Sequence, residues 1–213
     1  MKKTILLICT TLALLSIGCQ KDRIINKIVI YNPNGGEGFE YAREIERRYL
    51  NCFTLESPSD MNYYKNGYEG VGWSTEDGLF LQPDIPYGPD IYDKLQDVTT
   101  LNAVWQKYIR MSNGTYHLSD GENILFFDSG GIDHNYYNNE NYTYYFYAPQ
   151  GKHLSVIFHE IDLESYDKLT INGDGNITTN YLYLTPGNSL CVTFKSNYSY
   201  TRRGWHANIS VVD

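Results

Sequence analysis

Apolar side chains fall on every second residue in three runs of the C-terminal half: Leu154, Val156 and Phe158; Leu190, Val192 and Phe194; and Trp205, Ala207, Ile209 and Val211. Period two places each run on one face of an extended strand, while a helix would scatter the same residues around its circumference. Between the runs stand Ala148-Pro149-Gln150-Gly151, Asn172-Gly173-Asp174-Gly175-Asn176 and Pro186-Gly187-Asn188, which are residues that turn a backbone sharply. Several short half-buried strands separated by tight turns predict a β-sandwich over residues 121–213. The 21 tyrosines suit such a fold, because the ring packs while the hydroxyl reaches water.

The segment before it has mixed periodicity. Lys27-Ile28-Val29-Ile30-Tyr31 reads as a strand stopped by Asn32-Pro33-Asn34-Gly35-Gly36. From Glu40 to Leu50, Tyr41, Ala42, Ile45 and Tyr49 recur at spacings of three and four, which predicts a helix with Glu44, Glu46, Arg47 and Arg48 in solvent. Gly67 to Trp73 and Leu101 to Trp105 read as further strands. The chain is therefore mainly β. A small α+β module over 27–107 is expected to be followed by a linker over 108–120 and then by the sandwich.

The amino terminus carries a different signal. Lys2 and Lys3 precede an apolar stretch, Thr4 to Ile17, with no charge before Lys21, which is the layout of a secretory signal and too short for a comfortable membrane span. The ending Leu15-Ser16-Ile17-Gly18-Cys19 resembles the bacterial lipobox. That resemblance implies cleavage before Cys19, acylation of its thiol and anchoring of the exported chain to an outer membrane or cell surface, with residues 19–26 as a polar tether. Each acyl methylene would contribute roughly 0.8 kcal/mol on burial. Without Lys2 and Lys3, 15 basic residues face 25 acidic ones, and no basic stretch offers a footprint for a phosphate backbone, so nucleic-acid binding is excluded. Cys52 and Cys191 belong to no Cys-x-x-Cys pair and fall in different expected modules, so both are expected to be free thiols.

Two further resemblances add to this reading. Ile30-Tyr31-Asn32-Pro33-Asn34-Gly35-Gly36, Gly67-Tyr68 with Val71-Gly72-Trp73-Ser74-Thr75-Glu76-Asp77-Gly78, and Asn102-Ala103-Val104-Trp105 together resemble one unit of the Listeria and Bacteroides surface repeat, the internalin B-repeat. That resemblance implies a compact β-grasp-like fold acting as a spacer or adhesion module. Asp128-Ser129-Gly130-Gly131, Asn135-Tyr136, Ile161-Asp162-Leu163-Glu164, Tyr166-Asp167-Lys168-Leu169, and Phe194-Lys195-Ser196-Asn197-Tyr198-Ser199 before Gly204-Trp205 are similar, in that order, to a CUB domain without paired cysteines. This implies a jelly-roll-like β-sandwich that binds proteins or glycans. It also implies a calcium site of Glu164, Asp167, Asn197 and Ser199, braced by Tyr136, with Asn197 in a place where calcium-binding members usually carry Asp. The alternative is that Glu164 and Asp167 satisfy backbone donors of their loops without an ion.

Catalysis finds little support. His159-Glu160-Ile161-Asp162 lacks the second histidine of a zinc-protease helix, since Leu163 occupies that place. Carboxylate pairs are too plentiful to mark a glycosidase without geometry. The expected function is a surface lipoprotein that binds a protein or glycan through Tyr136, Tyr137, Tyr198 and Tyr200. A carbohydrate-active enzyme and a purely structural envelope subunit remain the alternatives. Replacing Cys19 with alanine is expected to move the protein from the membrane fraction into the soluble fraction; equal retention in the membrane would contradict lipid anchoring.

Overall fold

The computed structural model describes residues 26–46, 52–132 and 134–213. Cys19, the signal segment, nearly all of the tether and the end of the expected helix lie outside these residues. Among the described residues no helix is long and apolar enough to cross a membrane.

The chain is mainly β, with two bodies of apolar packing joined through one sheet. The N-terminal part contains β1 (Lys27–Asn32), β2 (Tyr41–Ile45), β3 (Tyr68–Ser74), β4 (Phe80–Leu81), α1 (Pro89–Lys94) and the first two thirds of β5 (Val98–Arg110). β1 and β5 lie side by side and parallel; β2 flanks β1 and β3 flanks β5, both antiparallel, with β4 beyond β3. The order β2-β1-β5-β3, with first and last strands parallel at the centre, is β-grasp-like. Val29, Tyr31, Trp73, Leu101 and Ala103 are buried on one face of this sheet, against Leu55, Tyr63 and Tyr92. Tyr92 is the buried residue of α1, a helix started by Pro89 in its first turn, where the missing N–H costs nothing.

The helix expected from Glu40 onward is not formed where the chain is described: Tyr41–Ile45 is β2, a hairpin partner of β1. Of the apolar residues that suggested a helical stripe in this stretch, only Ile45 is buried, while Tyr41 and Ala42 are exposed. The Tyr41 ring stacks on Tyr31 at 6.4 Å across the hairpin. Strand pairing with a neighbour outweighs a local pattern of so few residues.

The C-terminal part stacks two sheets. One continues from β5 through β7 (Asn123–Phe127), β13 (Gly204–Val212), β9 (His153–Asp162) and β11 (Tyr181–Leu184); the other runs β10 (Lys168–Ile171), β12 (Ser189–Lys195), β8 (Asn141–Tyr147), β6 (Gly114–His117). All three period-two runs turn their alternating apolar residues into the space between the sheets, where they meet Phe126, Phe146 and Leu169. Residues 108–120, expected to be a linker, instead hold the end of β5, which pairs with β7, and all of β6, which pairs with β8. Cys52 and Cys191 are both free.

Phe194 fixes the middle of the sandwich, packing edge-on against Trp205 at 4.7 Å and Tyr136 at 5.1 Å. Phe194→Ala is expected to lower unfolding stability by about 3–5 kcal/mol, read from urea melts.

Candidate functional site

Three loops meet at one end of the sandwich because the strands that carry them all begin or finish there: residues 128–140 between β7 and β8, 163–167 between β9 and β10, and 196–203 between β12 and β13. Their backbones are tied together directly. Asn139 N–H donates to the Asn197 carbonyl (2.7 Å), Ser196 N–H to the Glu140 carbonyl (3.0 Å) and Asp167 N–H to the Glu164 carbonyl (3.0 Å).

Asp167 is the hub of this end. It is 1% exposed, its Oδ2 accepts the Tyr136 hydroxyl (2.5 Å) and its Oδ1 accepts Asn197 N–H (2.8 Å). The Tyr136 oxygen in turn accepts Glu164 N–H (3.0 Å), so one phenol links two loops. Burial, reinforced by the bond to the Asp167 carboxylate, holds that phenol well above its ordinary pKa. Glu164 Oε2 accepts Tyr166 N–H and Asn197 Nδ2, each at 2.9 Å, while Oε1 accepts the Ser165 hydroxyl at 2.9 Å. The Tyr166 N–H, with Ser165 and Asn197, keeps the Glu164 carboxyl below its usual range against an opposing desolvation. Asn197 Oδ1 accepts both the N–H and the hydroxyl of Ser199, each at 2.6 Å.

Glu164, Asp167, Asn197 and Ser199 therefore stand in one network with Tyr136. Two carboxylates, an amide oxygen and a hydroxyl are the hard oxygens that calcium accepts. Each of the carboxylate and amide oxygens also receives a donor from the protein itself, as the loop-satisfying alternative requires. Among the described residues no group of three or more His, Cys, Asp and Glu is placed to hold a metal ion, so a cation here would rest on two acidic side chains.

The binding tyrosines separate into two kinds. Tyr136 is 1% exposed and committed to Asp167 and Glu164, so it braces the loops and cannot present its ring to a ligand. Tyr137, Tyr198 and Tyr200 are 60%, 82% and 82% exposed. Tyr166, beside Glu164, is 76% exposed and was missed in the sequence because nothing in its local pattern sets it apart from a strand tyrosine.

Sequence reasoning also missed two buried acids beneath these loops. Asp128 Oδ1 accepts Gly130 N–H (2.7 Å) and Oδ2 accepts Trp205 N–H (3.2 Å). A side chain at Gly204 would put its Cβ 2.0 Å from Asp128 Oδ2, so glycine there, at φ +82°, makes this approach feasible. Burial pushes the Asp128 carboxyl up to about 6 despite its two N–H donors, with Glu140 nearby adding to the rise. Glu140 is buried and its oxygens meet no donor in good hydrogen-bond geometry among the described residues; desolvation chiefly raises its carboxyl, against the nearby Ser129 hydroxyl and Tyr137 backbone, with the charge of Asp167 adding to the rise. His159 takes no part in this network: it stacks on His206 at 5.4 Å and bonds Asn208, on the outer face of the sheet.

No family model and no curated protein matches the chain. Solved structures similar to it include the full extracellular region of zebrafish Gpr126/Adgrg6, at 20% identity over 47% of this chain and 15% of that one, with a TM-score of 0.41. The CUB1-EGF-CUB2 domains of rat MASP-1 align at 23% identity over 46% of this chain and 43% of theirs, TM-score 0.38. The MASP-1 CUB2 domain bound to Ca2+ aligns at 19% identity over 46% of this chain and 97% of its own length, TM-score 0.39. The chain thus spans less than half the length of the first two. At TM-scores below 0.5 these similarities establish no family, and the architecture stands on the strand order itself.

Asp128 yields a pH test. Its carboxyl is protonated more readily in the folded protein than in the unfolded chain, so its contribution to stability is greatest at low pH and is lost as pH rises from about 4 through about 6, by on the order of 3 kcal/mol. Asp128→Asn should gain that amount on the wild type between pH 4 and pH 7 in urea melts. A constant gap across this range would contradict the assignment.

Proposed function

We propose that the chain is a non-catalytic recognition module, exported and held at a bacterial surface by lipid on Cys19, in which a β-grasp-like repeat carries a CUB-like sandwich outward. The observation that carries this reading is the loop end of the sandwich. Tyr137, Tyr166, Tyr198 and Tyr200 project from loops that the Asp167 network locks together. Rings this exposed are not walled in by their own chain and suit a partner surface that closes over them. Tyrosine supplies large rigid contact area at a small cost in side-chain entropy, and pinned loops reduce the cost further. A protein face is therefore the favoured ligand of this end.

Calcium is the ion that Glu164, Asp167, Asn197 and Ser199 would hold, and bound there it would supply positive charge that draws the loops together. With two carboxylates, and with hydrogen bonds to be exchanged at Asn197 and Ser199, affinity should fall in the weak range of extracellular modules, roughly 10⁻⁴–10⁻³ M.

Two measurements test these claims. An array of surface proteins and glycans should show selective protein binding that falls at least tenfold when Tyr137, Tyr166, Tyr198 and Tyr200 are replaced by alanine, with the melting temperature preserved. Hydrolysis of an arrayed glycan would favour the enzyme reading instead, and binding unaffected by the four substitutions would reject the loop end as the contact surface. Millimolar calcium should raise the melting temperature of the wild type but not of Glu164→Gln; an equal response in both would remove the ion from this site.

A further inference from the structure

A second candidate site lies at the junction of the two halves, where the 128–140 loop reaches it through Ile132. There the pairing of β3 with β5 ends at Lys107, opposite Tyr68, and the pairing of β7 with β5 starts at Tyr108, opposite Leu125. Beside these pairings lies a cleft of about 220 Å³, whose walls include Tyr64, Tyr68, Trp105, Tyr108, Arg110 and Phe127. Five of these six are aromatic, and Tyr64 and Tyr68 are 52% and 36% exposed. The volume lies below the roughly 300–1,000 Å³ of sites that enclose a drug-sized ligand, so an occupant would lie across this cleft rather than within it.

Arg110 gives the cleft its chemistry. The guanidinium carbon lies 5.6 Å from the centre of the Tyr108 ring, a stacked placement, and the group makes no hydrogen bond or ion pair with the protein among the described residues. Gly131 allows that placement, since a Cβ there would come 2.6 Å from Arg110 Nε. A planar guanidinium resting on an aromatic face, its fork without a partner among the described residues, is built for a carboxylate. Lys65, 4.7 Å over the Tyr68 ring, adds positive charge beside the cleft. Glu69 also lines the cleft, but it stands opposite Gln106, four residues from Arg110 along β5, or about 13 Å in extended strand. In a chain of net charge −8, a local pair of cations beside aromatic faces is a departure that favours an anionic occupant.

We propose that this cleft binds a carboxylate-bearing saccharide, such as a uronic-acid unit of a glycan, with sugar faces on Tyr64 and Tyr68 and the carboxylate on Arg110. Tyr68 on β3 and Tyr108 and Arg110 on β5 stand in fixed register, and Tyr64 is held by its backbone bonds to Glu37, so the aromatic and cationic elements are set before the ligand arrives. The site uses neither the loop tyrosines nor the calcium ligands named above.

Titration calorimetry with a galacturonic-acid trisaccharide, against a neutral galactose trisaccharide of the same linkage, tests the proposal on the full chain. The acidic sugar should bind at least tenfold more tightly, and more weakly as salt rises. Arg110→Gln should remove that preference, Arg110→Lys should restore part of it, and Tyr68→Ala should weaken both sugars, all with unchanged melting temperature. Alanine at Tyr198 and Tyr200 should leave sugar binding intact, which separates this site from the loop end. Equal affinity for the two sugars, binding unaltered by Arg110→Gln, or no heat from the acidic sugar at millimolar concentration would each overturn the proposal.

Discussion

A thirteen-residue strand, β5, is the constraint on which the rest of the structure depends. Its first residues lie parallel to β1, its middle pairs with β3, and its last three pair with β7. A strand satisfies its backbone groups only through its neighbours, so a single strand shared this way fixes the register of one half against the other. Leu101 and Ala103 face one core, and Ile109, a few residues on, packs against the other. The two apolar bodies are joined by backbone hydrogen bonding rather than by a flexible connection. The aromatic cleft lies where the pairing of β5 with β3 ends and its pairing with β7 starts.

At the far end of the sandwich, a polar hub fixes loops that strand pairing does not reach. Asp167 accepts from Tyr136 and from the Asn197 backbone, and Tyr136 accepts from the Glu164 backbone, so three loops share one buried hydrogen-bonded group. Buried networks of this kind are expensive unless every member is satisfied. The oxygens of Glu164, Asp167 and Asn197 all accept donors, whereas those of Glu140 below them meet none in good hydrogen-bond geometry among the described residues. This end therefore combines a rigid upper layer, with tyrosines projecting from it, and a lower layer whose acids resist ionisation.

Much of this was legible in the sequence, and the physical reasons for success and failure differ. The sandwich core followed from strict period two, because every second side chain of a half-buried strand must be apolar whatever its partner is. Glu164, Asp167, Asn197 and Ser199 were grouped through their resemblance to a CUB domain, and they do meet; the role of Tyr136 as a brace came from the same source, while its use as a contact failed on burial. Tyr41 to Ile45 misled because two short elements can share a spacing of three or four, and only pairing with β1 decides between them. Residues 108–120 were read as a linker, but the end of β5 pairs with β7 and β6 pairs with β8, and so short a stretch carries no periodicity that would announce either pairing. Asp128 stood in the CUB-like motif, but nothing marked it or Glu140 as buried, since a buried acid and a solvated one are the same letter.

Amide hydrogen exchange across β5 is the most direct measurement of the central claim, that one strand locks both halves into a single unit. Amides from Leu101 to Arg110 that bond to β1, β3 or β7 should exchange as slowly as those of Phe126 and Ile209 in the sandwich, and should be released together with them in a single step as denaturant rises. Early release of Tyr108 to Arg110, while the sandwich stays protected, would contradict it and leave two independent modules joined by a loose connection.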